Sequence, residues 1–284
     1  MKNKIIALVD GSIYSRSVCE HTAWIAGSTG AAVELLHVLG RRETASGSDL
    51  SGVIALGART ALLEELSSLD EQRARLALKR GHAILEDAEA VLKDAGVASV
   101  TTRLRNGDLL ETVAASEADA DMLVIGKRGE AADFAKLHLG SNLERIARAA
   151  HKPVFVAARA MRPVTRVLIA HDGGPSALKA VDHVARSPLF AGLAIHLLTV
   201  ASESEQRRQR LDEARAMLEA GGHEVSATLV AGHTEAVISD VVERESIDLL
   251  VMGAYGHSPI RNLIIGSTTA EMLRSCKIPV LLFR

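Results

Sequence analysis

Short apolar runs alternate along the chain with longer stretches of mixed polarity. In the first half the runs are IIALV (5–9), VELLHV (33–38), VTTRL (100–104), MLVIG (122–126) and VFVA (154–157). Most are apolar at consecutive positions and rich in β-branched and aliphatic residues. That pattern predicts strands of a parallel sheet covered on both faces. The stretches between them carry helical signals. YSRSVCEHTAWIAGSTG (14–30) runs to Gly27 and Gly30, and RLALKRGHAILEDAEAVLKDAG (75–96) has an apolar period near 3.6 and closes on Gly96. LLETVAASEA (109–118) follows Asn106-Gly107-Asp108, and SNLERIARAA (141–150) opens on a serine suited to an N-cap.

The second half repeats the first. KIIALVDGS (4–12) matches RVLIAHDGG (166–174), VELLHVL (33–39) matches AIHLLTV (194–200), DMLVIGKRG (121–129) matches DLLVMGAYG (248–256), and KPVFVAAR (152–159) matches IPVLLFR (278–284). Five strand–helix alternations per copy predict an α/β fold of two tandem doubly wound domains, each with a five-stranded parallel sheet. The domains are expected at 1–160 and 164–284, linked around Arg159–Pro163. The spacing between matched segments falls by about 35 residues after the second pair, so the first copy carries an insertion at about 43–78. Within it, Val53, Ile54, Leu56, Leu62, Leu63, Leu66 and Leu69 recur at helical spacing. A helical hairpin packed on the first copy or on a partner chain is expected there; the sharper alternative is an apolar lid over the first copy's site.

Ligands of doubly wound sheets bind beyond the carboxyl ends of the strands, where strand order reverses. That rule selects Asp10, Gly11 and Val38 in the first copy and Asp172, Gly173 and Val200 in the second. It also selects the loop after the fourth strand. There Gly126, Gly129, Gly140, Ser141 and Asn142 correspond to Gly253, Gly256, Gly266, Ser267 and Thr268, with Met252 and His257 beside them in the second copy. Glycines let backbone approach an anion, and a helix N-terminus offers unpaired N–H groups with partial positive charge. With hydroxyl donors added, this is a phosphate cradle, and a carboxylate one strand away can accept from an amino group or ribose. A plainer reading stands beside it: the glycines serve a tight strand–helix turn, and Asp10 and Asp172 cap helices.

Composition narrows the choice. Aromatics are 2% and the formal charge is -2, with neither half basic, so nucleic acid has neither stacking platforms nor attraction. The first apolar run is too short for a signal peptide, and no 18-residue apolar span follows, so no membrane association and a cytoplasmic location are expected. Cys19 and Cys276 form no CxxC pair. The histidines show no metal-ligand spacing, and His37 and His196 sit within strand runs as core residues. No P-loop, GxGxxG or GxSxG is present. Neither metal site nor catalytic residue is assigned.

An aspartate closing the first strand, followed by G-x2-G-x9-G-S/T after the fourth, resembles the universal stress protein family in nearly the whole chain outside 43–78. That resemblance implies an adenine-nucleotide α-hydrolase-like fold and ATP as ligand, with or without magnesium. It implies that Asp172 meets adenine or ribose, Val200 the adenine edge, and the Gly253–Gly266 loop with Ser267 and Thr268 the phosphates. The first copy departs from the pattern, because ten residues separate Gly129 from Gly140 and Glu130 and Asp133 enter the loop, offset by Lys127, Arg128 and Lys136. The expected function is ATP-dependent sensing or regulation in a stress response, with the second copy as main site and at most a slow ATPase. The alternative is a tandem stress protein without nucleotide, acting by protein contacts or an apolar ligand. An ATP-pyrophosphatase-like enzyme is disfavoured, since no SGGxDS-like loop occurs. The last strands, VFVAA (154–158) and VLLF (280–283), would be exposed edges if left alone. The resemblance implies that they pair as an intramolecular pseudo-dimer, with a further homodimer as the weaker expectation.

Overall fold

The structure, a computed structural model, describes residues 3–40, 56–129, 141–254 and 266–284. In the first half, β1 (Lys4–Leu8), β2 (Ala32–Leu39), β3 (Val100–Asn106), β4 (Met122–Gly126) and β5 (Val154–Ala157) alternate with α1 (Ser15–Thr29), α2 (Leu56–Asp94), α3 (Leu109–Glu117) and α4 (Ser141–Ala149). The second half repeats this with β6 (Arg166–Ala170), β7 (Ala194–Val200), β8 (Val225–Val230), β9 (Leu249–Gly253) and β10 (Val280–Phe283). Its helices are α5 (Pro175–Arg186), α6 (Glu205–Ala220), α7 (Thr234–Arg244) and α8 (Ser267–Ser275). The strands form one ten-stranded sheet in the order β3-β2-β1-β4-β5-β10-β9-β6-β7-β8. All pairings are parallel except the central one, where Val280, Leu281 and Leu282 run antiparallel to Val156, Phe155 and Val154.

The consecutive apolar positions of the strands feed two cores, one on each face. Ile5, Ala7, Val124, Phe155, Leu281 and Ile169 face α1, α2, α5 and α6. Ile6, Leu123, Val156, Val280, Leu250 and Leu168 face α3, α4, α7 and α8. Both cores run unbroken through β5 and β10, so the two halves share them. The outer strands β3 and β8 are only partly covered, and Arg103 and Arg105 on β3 charge that edge, a usual protection against strand addition.

The insertion differs from the expected hairpin. From Leu56 onward its residues form the N-terminal part of a single 39-residue helix, α2. The stretch contains no Pro and no Gly between Gly57 and Gly81, so nothing breaks the helical phase. Residues 41–55 lie outside the described residues. The later turns of α2 pack through Leu85, Ala88 and Leu92, while Leu69, Leu76 and Leu78 are exposed. Gly81 is where α2 comes down on the sheet: a Cβ there would sit 2.7 Å from Leu104 Cδ1 and 3.1 Å from His37 Cδ2. His37 and His196 are core residues with partners. His37 Nδ1 lies 2.7 Å from the Val9 carbonyl, and His196 is held by Glu245 and by Thr228 at 3.0 Å.

Two further histidines flank the central pairing. His21 stacks against Phe155 with ring centroids 5.3 Å apart, and His183 lies 5.1 Å from Phe283. In both, Nε2 is buried without a partner. Burial pulls both pKa values below the ordinary 6.5, against smaller opposing contributions from Glu20 and the Ser17 carbonyl for His21 and from Asp182 for His183.

Two outcomes follow. Gly81→Leu should cost about 1–3 kcal/mol through overpacking, read as a lowered Tm in thermal unfolding. Unfolded histidines take up protons near 6.5, while His21 and His183 in the fold do so only at lower pH. Stability should therefore be fully present above that value and decline as pH falls through it. Calorimetry across this range should show the decline, and it should flatten in a His21→Leu/His183→Leu double variant.

Candidate nucleotide site

In each half strand order reverses beside the first strand: β1 pairs with β2 and β4, and β6 with β7 and β9. The crevice between β6 and β9 gathers Asp172, Gly173, Met252, Gly253 and the start of α8 at one end of the sheet. Asp172 Oδ1 accepts the Gly174 N–H at 2.8 Å, a turn that launches α5. Gly173 adopts a left-handed φ of 76°, which a side chain would strain. Val200 closes β7 half-buried, and Met252 is buried in the core beneath the crevice. Gly256 and His257 lie outside the described residues.

Gly253 has a packing role. A Cβ on it would lie 3.0 Å from Ser176 Cβ and 3.4 Å from the Ala177 nitrogen, so its smallness admits the first turn of α5. Gly266 is the N-cap of α8 and donates its N–H to the Ala254 carbonyl at 3.3 Å. The donors left for an anion are therefore the first-turn N–H groups that follow it, at Ser267 and Thr268, which have no carbonyl within the helix to receive them. Ser267 is exposed. Thr268 gives its hydroxyl to Glu235 Oε1 at 2.8 Å, and Thr269 ties α8 to the end of β9 through the Gly253 carbonyl at 3.2 Å.

Two residues here escaped the sequence reading. Glu235, in the first turn of α7, reaches the start of α8, and the Thr268 hydroxyl holds its pKa below the usual carboxylate range. The repeat register offered a signal, for Glu235 aligns with Asp108, which caps α3 and pairs with Arg145 at 2.9 Å. Arg210 on α6 lies over Gly173: Cδ and Nη1 are each 3.3 Å from where a Cβ would be. No linear motif marks that approach.

The first half is built differently at the same places. Asp10 Oδ1 accepts from the Ser12 N–H at 3.0 Å and the Ser15 hydroxyl at 3.2 Å. Its Oδ2 is 2.8 Å from where a Gly129 Cβ would stand, so the carboxylate lies across the crevice on the loop. Gly11, at φ 75°, is covered by Ile84 of α2, at 2.7 Å from its would-be Cβ, where the second half places Arg210. Tyr14 presses on Gly126, at 2.7 Å, where the second half has Ser176 on Gly253. Val38 is half-buried, Ser141 begins α4 and Asn142 is exposed, while Gly140 lies outside the described residues. Among the described residues no group of three or more His, Cys, Asp or Glu could hold a metal ion, and no helix is long and apolar enough to cross a membrane.

The Thr268–Glu235 hydrogen bond makes a direct test possible. In Thr268→Val the Glu235 carboxyl should titrate nearer the ordinary glutamate value, a rise readable by NMR of the side-chain carbon.

The model of the universal stress protein family matches residues 1–158 and 201–284. A Synechocystis protein, "Universal stress protein Slr1230", is 39% identical over 288 residues, with both chains covered in full. A universal stress protein from Mycolicibacterium smegmatis is 22% identical across 99% of this chain and 96% of its own. Among solved structures, a universal stress protein from Archaeoglobus fulgidus superposes with a TM-score of 0.72 at 20% identity, covering 100% of this chain and 99% of that one. The α/β fold, the tandem repeat and these likenesses agree: the chain belongs to the universal stress protein family.

Proposed function

We propose that the protein is an ATP-binding regulator of a stress response, its nucleotide held in the second half, in a cytoplasmic setting. The observation that carries this is the exchange of Ile84 for Arg210 over the glycine after the first strand. A guanidinium beside Asp172 and Gly173 complements a nucleotide phosphate or sugar edge. An isoleucine in the same position withdraws that option from the first half. There Asp10 against Gly129 also puts a carboxylate where phosphates would lie.

In this reading ATP lies in the crevice between β6 and β9. Asp172 accepts from adenine or ribose, Val200 borders the base, and the first-turn N–H groups of α8 with the Ser267 hydroxyl receive the phosphates. Thr268 shares its hydroxyl between Glu235 and the nucleotide. Magnesium would arrive with the phosphates, as a hard cation that takes few protein oxygens, and the ionised Glu235 is suited to it. In this reading the bound nucleotide acts as a signal. The units are 1–160 and 164–284, acting as an intramolecular pseudo-dimer; the β5–β10 pairing supports that arrangement. Ile84 over Gly11 supports the second reading for the first half alone: a nucleotide-free module working through protein contacts or an apolar ligand.

Calorimetric titration with ATP tests the assignment. Gly266→Asp should abolish binding through bulk and charge. Ser267→Ala and Arg210→Ile should each weaken it about ten- to a hundredfold, the worth of a hydrogen bond to a charged group of roughly 1.5–3 kcal/mol. Gly140→Asp and Ser141→Ala should leave it unchanged. Loss of binding in the Gly140 variant with retention in the Gly266 variant would move the site to the first half.

A further inference from the structure

Beside the central pairing lies a cavity of about 230 Å³ to which both halves contribute. The first half supplies Tyr14, Lys127, Arg128 and Arg159; the second supplies Arg274 and Lys277 from the end of α8 and the turn after it. Five of these six side chains are cationic, and none of the described residues lining the cavity is acidic. Glu271 pairs with Arg274 from the helix face at 3.6 Å.

Helix capping explains part of this charge. Lys127 donates from Nζ to the Cys276 carbonyl just past α8, which suits the negative end of that helix. Arg274 instead folds back along its own helix, its Nε donating to the Ala270 carbonyl at 3.2 Å. Capping needs neither Arg159 nor Lys277, since one cation suffices for one helix end. Lys127 is 8% exposed, and after its one carbonyl partner it retains two N–H donors. Burial lowers its pKa, with Cys276 opposing and Arg128 adding a smaller lowering, so an anion beside it would offset that burial.

We propose that this cavity binds a short phosphate chain, bridging the two halves. At about 230 Å³ the cavity has room for a diphosphate or triphosphate. The donors fit: Arg159 and Lys277 at the exposed rim and Lys127 at the buried floor, with Arg128 and Tyr14 along the wall. The cavity adjoins the crevice between β1 and β4, with Tyr14 lining the one and packing on Gly126 of the other, and it does not depend on ATP binding in the second half. A free inorganic chain and the tail of a nucleotide whose base lies outside share this chemistry.

Isothermal titration of the full chain carrying Gly266→Asp, which silences the second-half crevice, provides the test, with inorganic triphosphate and ATP as separate probes. Triphosphate should bind, and Lys277→Glu and Arg159→Glu, both on exposed residues, should each weaken it at least tenfold. Arg105→Glu, on the distant β3 edge, should leave it unchanged. Lys127→Met should abolish binding, and Lys127→Arg should restore part of it, which separates ligand contact from lost capping. Triphosphate binding without ATP binding identifies a free oxyanion as ligand; binding of both, with the same variant profile, identifies a nucleotide tail. No binding of triphosphate, or binding indifferent to Lys277→Glu and Arg159→Glu, overturns the proposal.

Discussion

The antiparallel pairing of β5 with β10 is the constraint on which the rest depends. Three residue pairs, Val280–Val156, Leu281–Phe155 and Leu282–Val154, turn two five-stranded sheets into one. They remove the two strand edges that would otherwise be most apolar, leaving β3 and β8 at the margins. The side chains of these short strands alternate between faces, so each helps join the cores of both halves. His21 and His183 lie against Phe155 and Phe283 on opposite sides of the same join. Because the strands run in opposite directions, the carboxyl end of one half meets the amino end of the other. That is why the end of α8 arrives beside Lys127.

Within the common fold the two halves have diverged in the residues that lean on conserved-looking turns, while the turns themselves match. Gly11 and Gly173 share a left-handed backbone within a degree, at 75° and 76°. Over them stand Ile84 and Arg210, from helices of very different length. Tyr14 and Ser176 press on equivalent glycines, and Asp10 and Asp172 sit among different donors. A backbone can thus be duplicated faithfully while its chemistry is rewritten by neighbours distant in sequence.

This division also explains what the chain made legible. Strands such as Met122–Gly126 and helices such as Leu109–Glu117 follow from local apolar periodicity and turn residues, and the repeat located the crevices. The 43–78 insertion was harder, because helical spacing announces a helix without saying whether the chain turns back. The uninterrupted phase from Leu62 through Leu76 favours a single rod. Arg210 and Glu235 were invisible for another reason: their meaning lies in which glycine or hydroxyl they reach, and that is set by helix placement. Gly253 reads in sequence as a ligand-facing glycine, yet Ser176 packs so closely on it that a side chain there would push against the first turn of α5.

The short connection between Ala157 and Arg166 has a consequence of its own. In a dimer of separate chains, such a join would loosen on dilution and would force both subunits to carry the same surface. Here the partners are tethered at an effective concentration on the order of millimolar, so their union is independent of how much protein the cell makes. The stoichiometry is fixed at one of each, and any substitution falls on one half only. A tether of a few residues therefore leaves the two ends of one sheet free to differ.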